Sequence, residues 1–227
     1  MMTTVSTIKT ELVFSDDGEH TYSVTKTLEG VQGDKAVMVL MYPTRNAENI
    51  HSEDTTLLHI ISHMQDMGLS EITIINLFSK VVKTKLSAKG LEVDDENMKY
   101  IEDEIMSKKD FKDKKFILAY GNSMQSCKAC NESKKLIIQM YQKHCPNGTI
   151  YQLATKTMPN EKCPHPLWLG IRCKFSKWYL SEVHLPKEKA VEKAVQEVKS
   201  KKNTKAREII KLNRNLLRKI NRQNEQS

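Results

Sequence analysis

No stretch of the 227 residues is long and apolar enough to span a bilayer, and the opening Met1-Met2-Thr3-Thr4 lacks the apolar core of a secretory leader. Both absences predict a cytoplasmic protein with no membrane partner. Cysteines number five, and an odd count suits reduced thiols better than a disulfide framework. No glycine-rich phosphate loop and no serine-nucleophile motif occurs. Hydrophobic residues make up only 39% of the chain, enough for one packed core plus an extension.

The charge that is present is unevenly placed. From Lys187 onward there are thirteen Lys/Arg against five Glu, which accounts for the whole net charge of +8. The preceding residues are neutral in sum. This divides the chain into a core, 1–185, and a basic extension, 186–227. The extension carries two apolar stripes, Ala190/Val191/Ala194/Val195/Val198 and Ile209/Ile210/Leu216/Leu217/Ile220, separated by the polar run 199–205. Both predict amphipathic helices that dock on the core, on a protein partner or on another copy of the chain. Lys199, Lys201, Lys202, Lys205, Arg207, Lys211, Arg214 and Arg218 are candidates for contact with nucleic acid. A solvated helix that keeps the protein soluble is the plainer reading of the same charges.

Strand and helix signals alternate through the core. Residues 20–27 alternate and are rich in β-formers, while 37–42, 72–78 and 115–120 are near-continuous apolar runs expected of strands buried on both faces. A short strand is predicted at 149–153. Between them lie predicted helices. One is capped by Ser52 or Asp54, has Leu57, Leu58, Ile61 and Met64 inward, and stops at Gly68. A second runs from Asp94 to Met106, and a third from Cys127 to His144. The order predicts an α/β fold of three layers, with a mostly parallel central sheet and a helical C-terminal extension.

Ligands of such sheets sit beyond the carboxyl ends of the strands. Tyr42-Pro43-Thr44, Asn76-Leu77-Phe78, Gly121-Asn122 and Cys163-Pro164-His165-Pro166-Leu167 all fall at that edge. His165 stands out because each proline fixes its own φ and biases the residue before it toward extended backbone. The imidazole is thus expected on a stiff loop, either facing a pocket or satisfied by the main chain.

These segments, with Asp54-Thr55-Thr56, resemble a bacterial and phage domain family of unknown function. Its pattern runs Asn-Pro-Ser, an Asp-Pro-Thr helix start, Asn-Leu-Phe, a strand ending in Trp-Gly, and His-Pro-Leu. The matching segments here are Tyr42-Pro43-Thr44, Asp54-Thr55-Thr56, Asn76-Leu77-Phe78, Tyr120-Gly121 and His165-Pro166-Leu167, and the resemblance covers roughly residues 18 to 170. More distantly the layout is similar to the uracil-DNA glycosylase superfamily. There a proline-containing loop, an aromatic/Asn segment and a late His-Pro loop form the base pocket. The first loop departs from both patterns: Tyr42 precedes the proline, and Asn46, Glu53 or Asp54 must stand where a glycosylase keeps its water-positioning Asp or Asn.

This resemblance implies a protein that recognises a nucleobase or nucleotide, with hydrolysis of an N-glycosidic bond as the associated chemistry. Breaking that bond builds positive charge on the sugar and negative charge on the leaving base. A histidine donor answers the second, and a carboxylate or amide that positions water answers the first. His165, Asn46 and Asp54 are the catalytic candidates. Tyr42, Pro43, Thr44, Asn76, Phe78, Gly121 and Asn122 are the ligand-binding candidates. No cofactor is called for. The alternative is a non-catalytic nucleic-acid-binding or protein-interaction accessory protein of a bacterium or phage, in which the tail does the binding. Weaker constellations are Cys127-x-x-Cys130, which lacks a second pair for zinc, and His59/His63 at i, i+4, which lack a third ligand. Lys80, Lys83 and Lys85 are candidates to meet phosphate at the rim.

Overall fold

A computed structural model describes residues 1–45, 48, 50–51, 53–83 and 86–184. Met1–Val183 form one compact unit. Asn46 and the basic positions Lys199 to Arg218, singled out above, lie outside the described residues, as do Ser52 and Lys85.

The strands are β1 Ile8–Phe14, β2 Thr21–Leu28, β3 Asp34–Leu40, β4 Leu69–Asn76, β5 Lys115–Leu118, β6 Ile150–Thr155 and β7 Trp178–Glu182. They form one sheet in the order β1-β2-β4-β3-β5-β6-β7. The inner four, β4-β3-β5-β6, are parallel. The pairings β1–β2, β2–β4 and β6–β7 are antiparallel, so the sheet is mixed rather than mostly parallel. The apolar runs end up where burial on both faces requires them. Val39 of β3 sits between Ile75 of β4 and Leu118 of β5, all three buried.

Helix α1 (Thr55–His63) is capped by Asp54, whose Oδ1 accepts from Leu57 N at 2.8 Å. Its inward face is Leu57, Ile60 and Met64. Leu58, expected inward, is half-exposed because it falls on the opposite side of the 3.6-residue repeat. The chain turns at Gly68, at φ +70°, into β4. Helix α2 (Asp95–Tyr100) runs into a π-helical stretch, Ile101–Met106. Helix α3 is Lys128–His144 and α4 is Pro166–Arg172. Leu57, Ile60, Met64 and Leu169 join Met38, Leu40, Ile117 and Leu153 in one core, so α1 and α4 cover one face of the sheet. On the other face Tyr141 of α3 stacks on Phe116 of β5, ring centroids 4.3 Å apart.

His59 and His63 are packing residues. The His63 ring stacks on Trp178 at 4.1 Å, and its Nδ1–H donates to His59 O at 2.8 Å. Gly170 is needed opposite, since a Cβ there would stand 2.4 Å from the His59 ring. Among the described residues no group of three or more His, Cys, Asp or Glu is arranged to hold a metal ion. No described helix is long and apolar enough to cross a membrane.

Candidate functional site

The chain leaves β3 through α1 on one face and leaves β5 through α3 on the other. Between the carboxyl ends of two strands whose connections diverge, the sheet opens a crevice. A cleft of about 670 Å³ lies there. Tyr42, Pro43, Thr44 and Asp54 line it from the β3–α1 connection, Asn76 from the end of β4, and Gly121 and Asn122 from the β5–α3 connection. His165, Leu167, Trp168 and Ile171 close it from α4 and the loop before it.

Asn76 is held from behind. Leu77 N and Phe78 N continue the β-ladder to Leu40 O and Met41 O at 3.0 and 3.3 Å. Asn97 Nδ2 donates to Asn76 O at 2.9 Å, and Asp94 Oδ2 accepts from Ser79 N and Ser79 Oγ. The Asn76 side chain is left facing the cleft, 3% exposed, and its Oδ1 is buried without a hydrogen-bond partner in the protein. Such an atom carries a desolvation cost unless something in the cleft supplies a donor. Phe78, expected to line the pocket, is 3% exposed and stands outside the cleft lining. One residue further along an extended chain, Leu77 and Phe78 turn to the packed interior.

The Asp54 carboxylate uses one oxygen to cap α1, and the other accepts from Thr44 Oγ1. Its neighbour Glu53 is not in the lining and is held in an ion cluster with Lys26 and with Arg45, which does line the cleft. Of the two candidates for a water-positioning group that lie among the described residues, Glu53 is committed to its ion pairs and Asp54 lines the cleft.

His165 caps α4, its Nδ1 accepting from Leu167 N at 3.3 Å. That bond requires an unprotonated Nδ1, so the ring proton sits on Nε2 and is available to donate. Burial lowers the His165 pKa to about 4, and the nearby Asp54 charge opposes this only in part. The imidazole is therefore neutral at physiological pH. The main-chain partner of the ring is a backbone N–H. The loop before it is pinned at several points. Gly121 N donates to Cys163 O, and Cys163 N donates to Gln152 Oε1, both at 2.9 Å. Cys163 itself takes φ +43°, in the left-handed region. Gly121 is at φ +76°, and a Cβ on it would meet His165 Cβ at 3.0 Å. Only glycine fits that backbone and that approach.

Asn122 is exposed and donates from Nδ2 to Glu161 Oε1 at 3.1 Å. Lys80, expected near phosphate, is exposed and pairs loosely with Glu19 at 3.8 Å, outside the cleft lining. Sequence reasoning missed Trp168 and Ile171. Their only signal was i, i+3 spacing just after the rigid Pro166. Trp168 is 36% exposed and Ile171 63%, so the mouth of the cleft carries an apolar, partly aromatic lip.

No curated protein and no solved structure matches the chain. Residues 22–167, which span the inner strands and every cleft segment up to the His165 loop, match the model of the family described as protein of unknown function (DUF1643), and the chain belongs to that family.

Proposed function

We propose that the cleft binds a nucleobase or the base of a nucleotide, and that it hydrolyses the N-glycosidic bond of its ligand. The observation that carries this reading is the convergence of a neutral imidazole, a held carboxylate and a buried amide in one cleft of about 670 Å³, a volume in the range of small-ligand sites. The uracil-DNA-glycosylase-like layout belongs to the same reading. Its support is the parallel inner sheet with rim loops after β3, β4 and β5 and a late His-Pro loop.

The roles follow from the chemistry. His165 Nε2–H donates to a carbonyl oxygen of the base and stabilises the charge that grows there as the bond breaks. A neutral donor suits this, because its proton stays in place over the physiological range. Asp54 orients water and offsets the positive charge on the sugar. Asn76 reads the hydrogen-bonding edge of the base, and Trp168 stacks on its face. Titration with nucleobases and nucleosides, followed by a screen for base release from free nucleotides and modified DNA, tests the reading. Binding that His165→Asn abolishes, together with base release that Asp54→Asn abolishes, supports it, and no binding by any of these ligands overturns it.

A second reading rests on the charge placed after Pro186: the tail supplies general affinity for nucleic acid and the core only positions it. Each phosphate neutralised on duplex DNA contributes about −0.9 to the log–log salt slope, so a tail engaging about five phosphates gives a slope of about −4 to −5. Full-length protein and a chain truncated after Pro186 are to be compared across a salt series. Equal affinity and slope in both rule out the tail.

A further inference from the structure

Two cysteines occupy the start of α3. All five cysteines are free thiols. Cys127 is the N-cap of this 17-residue helix, and its Sγ accepts from Cys130 N at 3.4 Å. Cys130 lies one turn on, fully buried, and its thiol donates to Cys127. Residues three apart at a helix start are close enough for a disulfide after a small rotation at the cap. The cap has freedom for that rotation, because Cys127 has extended backbone, φ −75° and ψ 119°. Lys134, a turn beyond Cys130, holds its ammonium 4.7 Å from the Tyr120 ring.

We propose that Cys127 and Cys130 are a redox-active dithiol, closed to a disulfide by a hydroperoxide. The two thiols are unequal. Burial raises the Cys127 thiol, but hydrogen bonds from the Cys130 thiol and from the N–H groups of Cys130 and Ala129 outweigh it and hold Cys127 below the usual thiol range. Burial, with the bond donated to Cys127, pushes Cys130 up to about 12. This division gives an attacking thiolate and a resolving thiol. Cys127 is only 5% exposed, so the oxidant must be small, which favours a hydroperoxide over a bulky disulfide.

In the first step the Cys127 sulfur attacks one peroxide oxygen. An S–O bond forms, the O–O bond breaks, and water leaves with the thiol proton. In the second, Cys130 attacks the sulfenic sulfur: the S–S bond forms, the S–O bond breaks, and a second water leaves. Two thiols lose two electrons and hydrogen peroxide becomes two waters. The bond restrains the end of the β5–α3 connection, which also carries Gly121, Asn122 and Ser123 of the cleft.

The test uses the full chain treated with about one equivalent of hydrogen peroxide, then alkylated under denaturing conditions and digested with trypsin. Cleavage after Lys128 separates the two cysteines. The expected product is peptide 116–128 joined to peptide 129–134, separated by dithiothreitol. Cys130→Ser should stop at a Cys127 sulfenic acid that dimedone traps. Exposure alone ranks Cys145 and Cys163 first, since both are more exposed than Cys127. Oxidation of those two ahead of the pair, or Cys127 passing to sulfinic acid with no joined peptide, overturns the proposal. Should Cys130→Ser not fold, the joined peptide in the unaltered chain still decides.

Discussion

Glu53 and Asp54 are adjacent carboxylates with opposite fates. Glu53 receives Lys26 Nζ and, at 2.9 Å, Nη1 of Arg45, itself a residue of the cleft lining. Lys26 is wholly buried on β2 and also donates to Thr10 Oγ1 at 2.8 Å. Asp54 caps α1 and meets Thr44 at the cleft wall. The Glu53 ion pairs fix the connection, and the Asp54–Thr44 pair presents chemistry. A carboxylate beside a cleft is thus not by itself evidence of function; what it is already bonded to decides.

The largest effect is expected at Glu53. Glu53→Gln leaves Lys26 and Arg45 with a neutral partner in a buried place, and breaking a buried pair in this way costs about 3–5 kcal/mol. Chemical denaturation measures it. Asp54→Asn, by contrast, keeps a good N-cap and should change stability by no more than about 0.5 kcal/mol while removing turnover. A similar stability loss in both would erase the distinction between the two carboxylates.

Gly121→Ala comes next. The left-handed backbone costs a Cβ-bearing residue about 1–2 kcal/mol, and the contact with His165 forces that ring to move. Its signature is a modest drop in melting temperature joined to loss of ligand affinity. Unchanged affinity would mean His165 is not where binding happens.

A third contrast concerns pH. The unfolded chain protonates His165 near its ordinary value of 6.5, whereas folded His165 stays neutral down to about 4. The unfolded state therefore binds more protons over that window. The contribution of this group to stability falls as pH drops from about 6.5 to 4 and is flat above. His165→Asn should flatten that part of the stability profile. In the unaltered protein, ligand affinity that depends on the Nε2–H should show no inflection near 6.5.

The inner strands were legible because burial on both faces writes itself as continuous apolar runs, as at 37–42 and 72–78. The edge strands β1 and β7 were not, although the alternation at 20–27 did mark β2. β1 is half-exposed or exposed along its whole length, and β7 is five residues long, so neither needed a strong pattern. Helix α4 was missed because seven residues containing Gly170 give little period to read. The cleft was legible in part for a similar reason. Prolines at 164 and 166 announce a stiff loop wherever it lands, and strand ends announce a rim. Trp168 and the division of labour between Glu53 and Asp54 depend on which way a side chain turns against distant segments. That is tertiary information that local spacing does not carry.

The central claim is that the imidazole of His165, rather than the loop that bears it, recognises the ligand. His165→Asn separates the two, because an asparagine at that position still caps α4 through its Oδ1 yet cannot place a donor where Nε2 stands. The decisive measurement is calorimetric titration of the unaltered and His165→Asn proteins with a panel of nucleobases and nucleosides. Binding by the unaltered protein and at least a tenfold loss in the variant, with melting temperatures within a few degrees, is the predicted result. Equal affinity in the two proteins, or a variant that loses its fold along with its binding, would contradict it.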